Sequence, residues 1–225
     1  MKEAQPVATP VAAVSGGTAQ TRSRYWQIPL LRAAVAAVAT IVITFSQNHS
    51  AALGLTVFGA FAVATAFAIL AGSRSLKSDR VAQQTFLAQA LLTLAAGVAA
   101  LAFVATASLP AFFAIVLIWA LLTGALELYN GYRLRGRSPL ARDWMTIGLV
   151  TVLLAVALLV VPQGLDQQFT GPDGVERSLT ASIVAVGVFG AYAAIVAVLL
   201  VIGGFSLKWG TDTSGRAAPE TESHS

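Results

Sequence analysis

The sequence predicts an all-α polytopic membrane fold, six transmembrane helices in three tandem hairpins, and three observations predict it. Of 225 residues, 56% are hydrophobic and only 11% charged, where an ordinary soluble domain carries about 25% charge. The charges crowd into short stretches, and the apolar runs between them approach the roughly 20 residues that cross about 30 Å of hydrocarbon as helix. Helix is the only secondary structure that fits such runs, because a lone strand in lipid leaves its backbone unsatisfied and barrel strands are about ten alternating residues. The third observation is that Lys and Arg recur on every second connection.

Residues 1–24 are rich in Ala, Pro, Ser, Thr and Gly. They read as a disordered cytoplasmic tail. A cleaved secretory signal is the competing reading, but VAAV is too short for its apolar core. The transmembrane domain covers residues 25–207, with spans at about 26–45, 51–72, 84–107, 111–132, 144–161 and 180–205. Span one ends in the polar SQNHS, span two at SRSLKSDR, span four in the basic RLRGRSPLAR, and span five at Pro162. Pro110 marks the turn before span four. The loop QGLDQQFTGPDGVERS precedes span six, its GPDG a turn signal. Residues 208–225 form a second expected disordered cytoplasmic tail.

Lys2, Arg22, Arg24, Arg74, Lys77, Arg80, Arg133, Arg135, Arg137, Arg142, Lys208 and Arg216 all fall on one side of this topology. Arg177 stands alone on the other, beside Asp166, Asp173 and Glu176, while Arg32 lies inside span one. The positive-inside rule then places the basic side, with both termini, in the cytoplasm. Tyr25, Trp26, Tyr129, Tyr132, Trp144 and Trp209 lie at the same level, where amphipathic rings are favoured.

Several function classes have no candidate residues. The chain has no cysteine, and its two histidines, His49 and His224, are far apart, so no metal site is expected. There is no GxxxxGK[ST], GxGxxG after a strand, HExxH or GxSxG, so no catalytic residue and no cofactor is expected either. The basic residues lie at helix ends and not on an aromatic-studded polar face, which argues against nucleic acid as a partner. Asp166, Asp173 and Glu176 could hold a cation, or be solvated loop carboxylates.

The even spans share a pattern: VFGAFAVATAFAIL, IWALLTGALELYNG and VFGAYAAIVAVLLV align on Phe58, Trp119 and Phe189. Each places an aromatic followed by small residues at similar depth, which suggests a repeated hairpin. The three hairpins, together with WQIPLLRAAVAAV, WALLTGALELYNGYRLRG and RDWMTIGLVTVLLAVALLVVP, resemble the HdeD-like family of short-repeat bacterial inner-membrane proteins over about residues 25 to 207. The family's arginine entering helix one and its Gly-x-x-Glu on helix four are matched by Arg32 and by Gly124 with Glu127. LLRAAVAAVATI carries less glycine than the odd helices of that family. The resemblance implies a bacterial inner-membrane location and a link to acid or stress resistance, with no general activity.

Arg32 and Glu127 are the only ionisable residues inside the spans, each roughly 6 Å from the basic end of its helix. A lone charge at a helix centre costs about 2.5–3.5 kcal/mol on insertion scales. Arg32 and Glu127 can therefore pair between helices one and four, snorkel separately to the headgroups, or form a proton or substrate site. Gln83, Gln84 and Gln89 read as interfacial solvation, with Gln89 able to bond across helices, and Thr85, Thr93, Thr123 and Thr146 as hydroxyls bonded back to the preceding turn. Trp119 and Tyr192 read as buried packing residues or as rings on which a ligand stacks.

Ala60, Ala64 and Ala68, Ala120 and Gly124, Gly187 and Ala191, and Gly190 and Ala194 form small-residue stripes. These serve packing within the bundle or a homo-oligomer face. The expected partner is the lipid bilayer.

Three functions compete. The first is a non-enzymatic membrane protein with a structural or stress-response role. The second is a small-solute transporter or channel subunit, which internal repeats favour. Against it, the spans show no midplane polar cluster and no Gly/Pro interruption. The third, an intramembrane enzyme, lacks an assembled acid, nucleophile or metal site.

Overall fold

The computed structural model describes residues 25–74, 80–136, 138 and 140–209. The tail expected over 1–24, and residues 210–225 of the second, lie outside them. Among the described residues, six helices are long and apolar enough to cross a membrane: α1 (Gln27–Phe45), α2 (Ala51–Ser73), α3 (Arg80–Ala102), α4 (Leu109–Arg133), α5 (Ala141–Val160) and α6 (Ala181–Trp209). The protein is thus an all-α polytopic membrane protein.

The ends of these helices follow from local chemistry. Ser50 caps α2 by accepting from the Leu53 N–H, and Ser108 caps α4 by accepting from the Ala111 N–H, each satisfying an orphan donor of the first turn. Pro110 sits inside the first turn of α4, where its missing N–H costs nothing. A 3-10 turn at Val104–Thr106 and a left-handed Ala107 (φ 45°) separate α3 from α4. Span three therefore begins at Arg80 instead of 84 and its α-helix stops at Ala102. Span six runs on to Trp209, so Lys208 belongs to the helix, its ammonium 4.9 Å from the centre of the Trp26 ring.

The loop before α6 differs from the expectation of a plain turn. It is an antiparallel hairpin, β1 (Asp166–Thr170) and β2 (Glu176–Thr180), with Asp166 opposite Thr180 and Phe169 opposite Arg177. GPDG makes the reversal: the Gly174 N–H donates to the Gly171 carbonyl, and Gly174 takes φ +74°, a conformation that glycine adopts without steric penalty. The strands are exposed almost throughout, so no alternation of apolar residues announces them.

The six helices form a closed ring. The hairpins follow one another in sequence, but the closest packing is between α2 and α3, α4 and α5, and α6 and α1. Glycine permits two of these approaches. A Cβ on Gly97 would lie 3.0 Å from the Gly59 carbonyl oxygen and from the Val63 nitrogen, and one on Gly148 would lie 2.9 Å from the Gly124 oxygen. Backbones this close gain dispersion contacts that lipid-facing leucines cannot supply.

The even helices meet at the centre of the ring. Phe58 of α2 lies 5.2 Å from Trp119 of α4 and 5.4 Å from Phe189 of α6, edge to face in both cases, and Phe61 and Tyr192 extend the cluster. The three aromatics on which the repeats align are therefore one packed unit. Edge-to-face pairs add about 0.5–1.5 kcal/mol each beyond burial.

Candidate functional site

The site lies between this aromatic cluster and the basic end of the bundle. α4 contributes Glu127 from its buried stripe Val116, Trp119, Ala120, Thr123, Gly124, Glu127 and Asn130. α3 is apolar all round in composition, yet its buried residues also recur at three and four: Ala82, Phe86, Gln89, Thr93, Gly97 and Ala100. That phase turns Gln89 and Thr93 inward. α1 brings Arg32 one turn in from its start, α2 brings Thr65, and Thr151 and Tyr192 come from α5 and α6.

The structure brings Arg32 and Glu127 together. Arg32 Nη2 donates to Glu127 Oε1 at 2.9 Å, with Arg32 9% and Glu127 2% exposed. Gln89 Nε2 donates to the same oxygen at 2.8 Å. Two donors on one carboxylate oxygen, one of them cationic, make the short charge-assisted contacts that offset desolvation of the pair. Gln89 is 2% exposed, so its reading as interfacial solvation is corrected: its amide is spent across the helix interface.

Further in, Trp119 Nε1 donates to Thr93 Oγ1 at 3.1 Å, Thr123 donates back to the Trp119 carbonyl, and Tyr192 Oη meets Thr151 Oγ1 at 3.1 Å. Trp119 lies 14 residues before Arg133, about 21 Å along the helix. The bundle therefore does hold a cluster of polar atoms near its middle, contrary to the sequence expectation. Trp119 and Tyr192 bury as expected, and they also carry its hydrogen bonds. Toward the basic end, Thr85 Oγ1 lies 2.7 Å from the Asn130 side chain and within hydrogen-bond distance of the Val81 and Ala82 carbonyls of its own preceding turn, and Thr146 donates back to the Arg142 carbonyl. The Gln89 and Asn130 roles had a sequence signal: both continue a buried three-and-four stripe.

These side chains border a cavity of ≈ 10 Å³ lined by Arg32, Phe61, Thr65, Gln89, Glu127, Tyr192 and others. A second cavity of ≈ 20 Å³, nearer the basic end, lies among Tyr25, Ile28, Arg32, Asp143, Trp144 and Gly203. Arg32 and Leu200 line both. Tyr25 and Trp144 are buried, with Ile69, Phe86 and Leu207, and the Phe86 and Trp144 rings stand 4.9 Å apart. They form an aromatic cover inside the bundle, whereas Tyr129, Tyr132 and Trp209 face outward as interface residues do.

Two other expectations resolve. Gly124 and Gly190 pack against α5 and against Ile43 of α1, whereas a side chain on Gly187 would meet nothing. The acidic residues of the hairpin do not converge. Asp173 is bonded to Arg177 at 2.7 Å, and that guanidinium, with the Val175 N–H, holds its carboxyl below the usual range. Among the described residues no three His, Asp or Glu side chains gather around a metal-sized point.

Chemically the site is an ion pair with an amide clamp and a ladder of hydroxyls, shielded from lipid by six helices. It can hold a water-sized guest. No family model, curated protein or solved structure matches the chain.

Proposed function

We propose that the chain is a non-enzymatic multi-pass membrane protein of HdeD-like type, residing in a bacterial inner membrane with both termini cytoplasmic, and that it serves acid or stress resistance. The observation that carries the reading is the closure of the core. The cavity beside the ion pair is ≈ 10 Å³, about the room of one water, while substrate pockets run to about 300–1,000 Å³. The polar groups there bond mainly to one another, as in a structural core. The cytoplasmic placement of the basic end rests on the twelve basic residues of that side against Arg177 on the other.

The test is survival after acid and osmotic shock in cells lacking the protein, complemented with wild type or Glu127→Gln. Wild type is expected to restore survival. Equal survival of the deleted and complemented strains under every stress would remove this reading.

One observation favours a second function, a small-solute transporter or channel subunit. Hydroxyls and amides line the core from Arg32 to Tyr192, near mid-bundle, as a conduction path opened by helix motion would require. Solute flux into proteoliposomes that is abolished by Glu127→Gln would favour it over the first.

A further inference from the structure

Three buried polar atoms beside the ion pair make no hydrogen bond to the protein: Arg32 Nε, Thr65 Oγ1 and Gln89 Oε1. All three residues line the ≈ 10 Å³ cavity, and Thr65 and Gln89 are 3% and 2% exposed. A buried polar group without a partner keeps its full desolvation penalty, so three around one cavity amount to a cost that a shared guest would remove.

We propose that the cavity is a binding site for one internal water, held by Arg32 Nε, Thr65 Oγ1 and Gln89 Oε1. The chemistry of the lining selects the guest. Arg32 Nε–H offers only a donor, Gln89 Oε1 only an acceptor, and the Thr65 hydroxyl is both. Gln89 is fixed in this orientation because its Nε2 faces Glu127 Oε1, and a carboxylate accepts and does not donate. The guest must accept from Arg32 and donate to Gln89.

Ammonium has no lone pair for Arg32. A halide has no proton for Gln89 and would stand beside Glu127. A bare alkali cation would stand against the guanidinium. Water satisfies all three partners, matching the roughly three hydrogen bonds of a typical buried water, in a volume near the minimum for one.

The water also closes a ring. Arg32 Nη2 and Gln89 Nε2 both donate to Glu127 Oε1. The water accepts from Nε, beside Nη2 on the guanidinium, and donates to the other end of the Gln89 amide. Four groups are then linked in a closed circuit, and Arg32 also lines the second cavity, with Asp143 and Tyr25. The inference does not depend on the stress-response reading.

Radiolytic labelling in H₂¹⁸O of the whole protein in proteoliposomes tests it, because hydroxyl radicals formed at a bound water oxidise the side chains around it. Phe61 lines the cavity, and Phe58 and Phe189 of the same cluster do not. Phe61 is expected to be oxidised several-fold more than Phe58 or Phe189. Thr65→Val keeps the shape and removes a partner, and should bring Phe61 down to the level of Phe58, while Thr65→Ser should retain the labelling. Equal oxidation of Phe61 and Phe58 in the wild type, a comparison that needs no variant to fold, would overturn the proposal, as would Phe61 labelling unaffected by Thr65→Val.

Discussion

Removing either charge of the Arg32–Glu127 pair should destabilise the bundle by more than its share of the double change. Glu127→Gln leaves a guanidinium 9% exposed with no counter-ion. Stranding a buried partner costs about 3–5 kcal/mol. The lower end applies because Arg32 lies five residues from the start of α1, about 7.5 Å, and can turn toward the basic end. Arg32→Gln leaves Glu127 the Gln89 amide as a donor, so about 2–3 kcal/mol is expected.

The double change strands no charge and retains neutral hydrogen bonds. It should cost about 3–4 kcal/mol, which leaves a favourable coupling of about 2 kcal/mol, inside the 0.5–3 range for contacting residues. The assay is a double-mutant cycle of reversible unfolding in mixed micelles with increasing denaturing detergent. Strict additivity would show that each charge reaches water alone and that the 2.9 Å contact contributes nothing.

Gly148→Ala places a methyl within 3.0 Å of three atoms, two of them backbone, and should lower stability in micelles by about 1–3 kcal/mol through overpacking. Gly187→Ala meets nothing and should be neutral or stabilising by up to about 1 kcal/mol. If both changes cost the same, the glycine crossing of α4 and α5 is misplaced. The Asp173 carboxyl is held below its ordinary value of 3.8 by Arg177. Its contribution to the hairpin is therefore present above pH 3.8 and fades as pH falls through the lower folded value. Amide exchange across 166–180, allowing for its intrinsic pH dependence, should lose protection there in wild type and show no such step in Asp173→Asn. Purified protein should carry neither stoichiometric zinc nor nucleotide by elemental and absorbance analysis, and either one at unit stoichiometry refutes the expectation.

What was legible in the sequence was whatever depends on runs and on ends. Six apolar stretches, the turn at Pro110, and the alignment on Phe58, Trp119 and Phe189 all register in one dimension. The facing of a helix does not, when lipid and core are equally apolar. α3 shows no polar side to mark where Gln89 points, and only its three-and-four phase with Phe86 and Gly97 would have turned Gln89 inward. Tyr25 and Trp144 share the level of the interface rings Tyr129 and Tyr132, and nothing local distinguishes those that fold under the bundle. DQQFT and ERSLT were silent because their strands are exposed, and a strand with no buried face has no hydrophobic period. Arg32 and Glu127 were legible as a shared depth, since charge inside a span is rare enough to need a partner.

The most direct test of the account is a map of which side each end of the bundle faces. The chain has no cysteine, so single cysteines can be placed on an unlabelled background. Val175→Cys, on the exposed hairpin, and Arg135→Cys, at the exposed basic end, probe opposite ends. In intact cells a membrane-impermeant maleimide should label Val175→Cys and leave Arg135→Cys untouched until the membrane is opened. Labelling of Arg135→Cys from outside, or of both cysteines without permeabilisation, would contradict the six-span topology with cytoplasmic termini.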